Sequence, residues 1–237
     1  MALLLHIETS TAVCSVALGK DGELLALKET KDGMKHATHL TVFIQDILKE
    51  NNFTPNDLDG VAISMGPGSY TGLRIGVSTA KGICYGANLP LLAINTLQAM
   101  TQPLLGDKKI LAQLSKPEEA YYCPMIDARR MEVYTALYNN KNEITRAISA
   151  DIIDEKSFSE ELSKREIVFF GDGSSKCKDV IKSKNGIFLA EVTPSAIGMI
   201  EMAETKFQNK EFEDVAYFEP FYLKDFVATT PKKNIFN

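Results

Sequence analysis

The feature that most constrains the fold is the stretch at residues 64–90, SMGPGSYTGLRIGVSTAKGICYGANLP. Three glycines, Gly66, Gly68 and Gly72, mark a turn that follows a short strand pattern at residues 60–64. A helical pattern then runs over residues 71–87, where apolar residues recur every three or four positions. A strand that passes through a glycine turn into a helix is typical of α/β proteins.

This glycine turn has two interpretations, and the residues leave both open. Amide groups at the N-terminus of a helix bind anions in many proteins, and Arg74 would add positive charge there. Alternatively, the glycines serve a tight turn and close packing, which the slim helix with Ser78, Gly82 and Gly86 also favours. The spacing does not match a P-loop, since no Lys-Ser/Thr pair follows Gly72, and GPGSYTG only approaches G-x-G-x-x-G.

Periodicity predicts a mixed α/β chain that divides near residue 104. Before this point we expect a three-stranded meander, a helix with Thr38 as its N-cap, and two strand–helix units. After it we expect a hairpin, one more strand, a short helix and a last long helix. The predicted strands are 3–7, 14–18, 24–29, 60–64, 89–94, 122–126, 132–138 and 167–170, and the predicted helices are 38–52, 71–87, a segment from Thr96 that Pro103 kinks or ends, 158–162 and 196–207.

Composition limits the classes of function. The chain has 237 residues, 45% of them hydrophobic, which is enough for a sizeable core. Its net charge of −5 argues against nucleic-acid binding by the chain alone, because phosphate neutralisation drives such binding. The four cysteines are widely spaced, so we expect buried free thiols in a reducing compartment. We recognise no signal peptide or membrane span, so we expect a soluble, cytoplasmic protein.

The segment IETST, directly after the first strand, is the first candidate site. A carboxylate such as Glu8 beside a small hydroxyl residue such as Thr9 is able to hold Mg²⁺ and phosphate oxygens. Together with Gly68 and Ser69 it would form a nucleotide site. An ordinary polar turn is the favoured interpretation, because so short a motif recurs by chance.

Two further clusters have both a functional and a structural interpretation. His36 and His39 share a helical face, but a zinc site normally needs three or four ligands, so surface or interface histidines are favoured. Asp127, Arg129 and Arg130 form either a catalytic constellation or a salt-bridged hairpin corner, and the corner is favoured. No nucleophile–base pair, HExxH motif or convincing carboxylate pair stands out, which argues against an enzyme.

Several segments taken together resemble one family. LHIETST, GPGSYTGLRIGVSTAKGICYGANLPLLAINTLQAM, IDARRMEVY and FFGDGS occur in order and are similar to the bacterial TsaB (YeaZ) family, and EPFYLKDF resembles its usual end. The resemblance implies an α/β fold of the actin-like, sugar-kinase-like (ASKHA) class with two related subdomains. The first would comprise residues 1–104 with a return helix at 196–208, the second residues 105–195, and a C-terminal tail residues 209–237.

The resemblance also implies a function. TsaB proteins are non-catalytic partners in making threonylcarbamoyladenosine, the modified adenosine beside the tRNA anticodon. This chain would pair with a catalytic TsaD-type paralogue, work with a TsaE-type ATPase, form a homodimer when alone, and meet tRNA only through the complex. The first two helices would form the partner surface, with His39, Leu40, Phe43, Ile47, Leu73, Gly76, Ala80 and Tyr85.

Two departures from related patterns bear on cofactors. Thr96 and Met100 stand where the catalytic paralogue has two metal-binding histidines, and neither supplies an imidazole, so ATP and metal are expected on partner subunits. Glu8 stands where the fold family often has Asp, which weakens the case for nucleotide binding. The alternatives are a small ATP-dependent phosphotransferase and a peptidase, a label this family once attracted.

Overall fold

The computed structural model describes residues 2–31 and 36–224, and two five-stranded sheets form its framework. The first sheet has the strand order β3-β2-β1-β4-β5. Its first three strands form an antiparallel meander, and β4 and β5 run parallel to β1. The strands are β1 (Leu3–Glu8), β2 (Cys14–Lys20), β3 (Glu23–Thr30), β4 (Gly60–Gly66) and β5 (Leu91–Asn95).

The second sheet repeats this arrangement. Its strand order is β10-β9-β6-β7-β8. The strands β6, β7 and β8 form an antiparallel meander, and β9 and β10 run parallel to β6 on its other side. The strands are β6 (Tyr121–Asp127), β7 (Glu132–Tyr138), β8 (Ile144–Ile152), β9 (Ile167–Phe170) and β10 (Gly186–Phe188). Two copies of one strand order in a single chain define two related halves of an α/β fold.

Helices cover both faces of the first sheet. The helices are α1 (His36–Glu50), α2 (Tyr70–Ala87), α3 (Thr96–Thr101), α4 (Lys108–Leu111), α5 (Ser159–Lys164), α6 (Ser174–Cys177) and α7 (Ile200–Gln208). Alternate residues of β1 face opposite sides, so Leu5 packs with α1 and α2 while Leu4 packs with α7. Along the described residues, no helix is long and apolar enough to cross a membrane.

Most predicted elements are confirmed, with corrections at their ends. The α1 helix already includes His36, so Thr38 lies in its first turn and is not its N-cap. The α2 helix begins at Tyr70, and its N-cap is Ser69, whose hydroxyl accepts a hydrogen bond from the Gly72 amide at 3.3 Å. The strands β8 and β10 and the single-turn helices α4 and α6 were not predicted. Pro103 lies in a 3₁₀ turn that follows the end of α3, as expected.

The last helix packs against the first sheet. A 3₁₀ turn at Ala196–Met199 leads into α7, and Met199 and Ala203 join Leu4, Leu92 and other residues of the first sheet in one buried cluster. The predicted boundary near residue 104 falls between β5 and β6, where the chain passes from one sheet to the other. The division into two subdomains is consistent with this arrangement and stays a prediction.

Part of the predicted C-terminal tail is bound to the rest of the chain. We call residues 213–224 the strap. The Glu213 amide donates to the Leu91 carbonyl at 2.8 Å, and the Phe221 amide donates to the Met65 carbonyl at 2.7 Å. At its far end, Lys224 forms an ion pair with Glu132 of the second sheet. The strap therefore connects the two sheets, while residues 225–237 lie outside the described part of the chain.

A histidine lies in the core beneath the last helix. The ring of His6 on β1 is fully buried, and Gly19 makes room for it, since a side chain at Gly19 would meet both this ring and Ile200. Burial lowers the pKa of His6 from 6.5 to about 4, because the charged ring would lose its hydration. The folded chain therefore holds a neutral histidine where the unfolded chain takes up a proton near pH 6.5.

We predict that His6 makes stability depend on pH. Its contribution is complete above pH 6.5 and is lost as the pH falls toward 4, because the unfolded state binds the proton first. Between pH 7.5 and 5.0 this amounts to about 2 kcal/mol of unfolding free energy. Urea denaturation of the wild type and His6→Met at both pH values measures it, and the variant should lose less stability by that amount. An equal loss in both proteins would show that His6 is not responsible.

Candidate functional site

The IETST turn and the glycine turn meet at one edge of the first sheet. Because β1 and β4 are parallel, their carboxyl ends share this edge. Glu8 ends β1 and is followed by Thr9 and Ser10, and all three are fully buried. The glycine turn at residues 66–69 leaves β4 beside them. The four residues predicted as a nucleotide site are thus brought together.

Within this edge, the polar groups bind one another. The Ser69 amide donates to the Ser10 carbonyl at 2.6 Å, and the Thr9 hydroxyl donates to the Gly72 carbonyl at 2.8 Å. The Glu8 carboxylate accepts from the Ser10 amide at 2.6 Å. Two of the amides at the start of α2, those of Ser69 and Gly72, have acceptors inside the chain.

Two glycines allow this close approach. A side chain at Gly68 would overlap the Ser10 carbonyl, and one at Gly76 would overlap the Thr9 hydroxyl. From the outer side, the strap covers Gly66, since a Cβ there would lie 2.8 Å from the Phe221 carbonyl oxygen. In this structure the glycine turn holds the neighbouring backbone, which is the close-packing interpretation of the motif.

The second glycine turn, after β9, is packed in the same way. Gly171 has a positive φ of 102°, and a side chain there would overlap the Met125 carbonyl. A Cβ at Gly173 would lie 3.0 Å from the Asp127 amide. Both halves of the fold therefore close their glycine turn on the strand next to it.

The residues that replace the paralogue's histidines belong to the core. Thr96 hydrogen-bonds the Ser64 hydroxyl at 2.6 Å and accepts from the Gly66 amide at 3.1 Å. Met100 is buried among the apolar residues below the second sheet. Among residues 2–31 and 36–224, no group of three His, Cys, Asp or Glu side chains is placed to hold a metal. The His36 side chain lies outside the described part, and the His39 ring stacks on Phe43.

All four cysteines are free and buried, as predicted. Burial raises the pKa of Cys14 to about 11 and that of Cys84 to about 12. Burial likewise raises the pKa of Cys123 and Cys177 above the ordinary thiol value. Because the thiolate is the nucleophile, none of these thiols is suited to covalent catalysis near neutral pH.

Most residues predicted for the partner surface point into the chain's own core. Leu40, Ile47, Leu73, Gly76 and Ala80 are buried. They cannot contact a partner in this conformation, because the first sheet already covers this side of α1 and α2. His39 and Phe43 are half-buried, whereas Tyr85 is 87% exposed. The predicted partner surface stays a prediction, and of its residues Tyr85 lies on the outer side of the two helices.

That outer side, which we call the α1–α2 face, has distinctive chemistry. Its exposed residues are Thr41, Val42 and Gln45 on α1, and Arg74, Ser78, Gly82, Tyr85 and Gly86 on α2. Apart from its own stretch of helix, a Cβ at Gly82 or Gly86 would meet no atom of residues 2–31 and 36–224 within 4 Å. Beside these residues lies a groove of about 410 Å³, whose mainly apolar lining includes Ile44, Leu48, Phe53 and Ile83.

The hairpin corner after β6 is built differently from the prediction. The Asp127 carboxylate accepts from the Arg129 amide at 2.8 Å and pairs with Lys176, whose ammonium group also donates to the Glu132 carbonyl at 2.7 Å. The predicted salt bridge from an arginine side chain is therefore replaced by a lysine. Arg129 and Arg130 are exposed, and both have positive φ, of 72° and 51°. Lys176 could not be foreseen from the sequence, because it lies 46 or more positions after these arginines along the chain.

The doubled strand order, with helices on the sheets and two glycine turns at the strand ends, defines an α/β protein of the actin-like (ASKHA) fold. The solved structure of YeaZ from Pseudomonas aeruginosa shares this fold, with a TM-score of 0.78 and 24% identity over 94% of this chain and 100% of that one. A family model described as TsaD, tRNA N6-adenosine threonylcarbamoyltransferase, matches residues 30–232.

Curated relatives narrow the assignment. A protein of Escherichia coli (strain K12) named tRNA threonylcarbamoyladenosine biosynthesis protein TsaB is 32% identical, over 95% of this chain and 96% of the relative. A protein of the same name from Bacillus subtilis (strain 168) is 28% identical over 93% of each chain. The chain belongs to the TsaB (YeaZ) family.

Substitution of a packed glycine and of an open glycine in α2 should change the stability of the chain in opposite directions. We predict that Gly76→Ala destabilises the chain by roughly 1–3 kcal/mol, because the new methyl group overlaps Thr9 and crowds Ile63. Gly82→Ala, its matched control in the same helix, should stabilise the isolated chain by about 0.5–1 kcal/mol, since the methyl group enters open space. Urea denaturation of both variants provides the test, and a loss of stability in Gly82→Ala would contradict it.

Proposed function

We propose that this chain is a non-catalytic scaffold subunit in the formation of threonylcarbamoyladenosine in tRNA. In this proposal, the α1–α2 face binds a TsaD-type catalytic paralogue and activates it. A TsaE-type ATPase joins the complex, and ATP and metal are bound by the partner subunits. The names of the relatives, tRNA threonylcarbamoyladenosine biosynthesis proteins, support the pathway.

The open glycines of α2 are the observation that carries the proposal. Glycine inside a helix costs roughly 0.5–1 kcal/mol relative to alanine. Gly76 has a reason within the chain, because Thr9 occupies the space of its side chain, but no residue of the described part does so at Gly82. Next to Gly82, the Tyr85 ring is left 87% exposed. A slim surface beside a large exposed aromatic ring is suited to close packing of a helix from another chain.

The match to the transferase model indicates what kind of partner fits. Because the TsaD model covers residues 30–232, a TsaD-type protein is expected to share this fold and to present an equivalent pair of helices. Two such pairs would pack helix against helix, and the apolar groove beside Ile44 and Ile83 would receive a partner side chain. The same geometry would let two copies of this chain pair when the partner is absent.

The closed glycine turn supports the non-catalytic part of the proposal. In a phosphotransferase built on Glu8, Thr9, Gly68 and Ser69, the amides would have to be available to phosphate. Here the Ser69 amide instead donates to the Ser10 carbonyl, and the Gly72 amide donates to the Ser69 hydroxyl. The peptidase alternative gains no support either, since the buried thiols have raised pKa values.

We predict that Gly82→Lys and Tyr85→Ala each weaken binding to the TsaD-type protein of the same organism by tenfold or more. The lysine would separate the packed helices, and the alanine would remove an aromatic anchor of the kind that dominates interfaces. Sedimentation velocity over a range of concentrations, on this chain alone and on the mixture, measures both affinities.

Two exposed sites elsewhere serve as matched controls for this test. Thr205→Lys adds the same charge on α7, and Ile152→Ala removes an apolar side chain that is 76% exposed on β8. Both should bind the partner as the wild type does. If the wild-type chain and the TsaD-type protein sediment independently, the scaffold function is wrong. If they associate but the α1–α2 variants bind normally, the function stands and the face is wrong.

A further inference from the structure

We propose that Arg129 and Arg130 form a contact for the phosphate backbone of the RNA substrate. This inference rests on the proposed function, because it places the chain in a complex that acts on tRNA. It goes further, since it assigns to this subunit a direct contact with the RNA, at the hairpin corner between β6 and β7.

The corner does not need the two arginine side chains for its own structure. The Asp127 carboxylate is engaged by Lys176 and by the Arg129 backbone amide, and the Glu132 carboxylate is engaged by Lys224. In the described part of the chain, neither guanidinium group has a hydrogen-bond or ion-pair partner. The two nearest carboxylates in sequence are thus paired with lysines, and both arginines stay available to a ligand.

The backbone of the corner also points to a role outside the fold. Arg129 and Arg130 both have left-handed φ values, 72° and 51°, a conformation that glycine and asparagine adopt more easily. A fold that only needed a turn here would be better served by those residues. Such strain persists where the surroundings enforce it, and it is concentrated at functional sites.

The surroundings fix this turn firmly. The Asp127 amide donates to the Asp172 carboxylate at 3.0 Å, and the Ala128 amide donates to the Glu132 carbonyl at 3.1 Å. Lys176 closes the turn from α6. The two guanidinium groups are therefore presented from a rigid platform, which reduces the entropy lost on binding.

The charge pattern favours a polyanion over a single carboxylate. The Asp127 and Glu132 carboxylates each have a lysine partner, and the Asp172 carboxylate accepts from the Asp127 amide, so within the described residues the two arginine charges stay unpaired although the whole chain has a net charge of −5. Adjacent guanidinium groups repel each other, and one carboxylate relieves only one of them. A nucleic-acid strand offers successive phosphates, each of which matches the forked donors of arginine.

Such a contact would position RNA without reading its sequence. Phosphate contacts fix the register of a nucleic acid, whereas base contacts provide specificity. Two cations are too few to bind RNA against the acidity of the whole chain, so the contact acts only within the complex. This agrees with the expectation, drawn from the family resemblance, that tRNA binds only to the complex. The proposal adds which residues of this chain the tRNA would contact.

The test compares two double variants that remove the same charge. The variant Arg129→Ala/Arg130→Ala removes both arginine side chains from the corner. The control variant Lys108→Ala/Lys109→Ala removes two adjacent exposed lysine side chains at α4. Each chain is mixed with the TsaD-type protein, and binding of fluorescent tRNA is measured at 50–200 mM salt. We expect the complex with the arginine variant to bind tRNA about tenfold more weakly. The negative slope of log affinity against log salt should become shallower by about 1.4–1.8, whereas the lysine variant should match the wild type in both quantities.

Sedimentation of the same mixtures without tRNA separates the possible outcomes. Weaker tRNA binding with intact association of the two proteins supports the RNA contact. If the arginine variant loses the TsaD-type protein itself, the arginines bind protein carboxylates, and the RNA contact is wrong. It is also wrong if both double variants bind tRNA as the wild type does. If the wild-type proteins do not associate, the proposed function fails, and the RNA contact fails with it, because it acts only within the complex.

Discussion

The docking of the α2 N-terminus on the turn after β1 is the contact on which the first half of the molecule depends. The Ser69 amide donates to the Ser10 carbonyl, and the Thr9 hydroxyl donates to the Gly72 carbonyl. These hydrogen bonds form only because Gly68 and Gly76 have no side chains, which would overlap Ser10 and Thr9. They set the angle at which α2 leaves the sheet, and hence the side of this helix that remains for a partner.

The sequence predicted the elements well where a single period dominates. The buried strands β1 and β4 and the helix α2 were recognised because their apolar residues recur at a fixed spacing. The strand β8 was missed, because its residues are mostly half-exposed and show no clean alternation. The start of α1 was placed two residues late, since Thr38 is a residue type favoured as an N-cap but lies inside the helix that begins at His36.

The functional surfaces were harder to predict, for a physical reason. An apolar stripe such as Leu40, Ile47 and Ala80 gives the same pattern whether it meets the chain's own sheet or another protein. Only the three-dimensional neighbours show that these residues are core and that Gly82 is open. At the β6–β7 corner, the ion pair predicted for an arginine is made by Lys176. This lysine lies on α6, far along the chain, and spacing along the chain carries no information about such a contact.

The strap has a mechanical consequence. Proteins of two lobes commonly close on a ligand by rotating about a hinge, and this movement requires few connections between the lobes. Here the strap binds Met65 in one lobe and Glu132 in the other, in addition to the covalent link that follows β5. Rotation would have to break the strap's contacts in one of the lobes. The strap is therefore a second connection between the two sheets, beside the covalent one, and it acts against such a rotation.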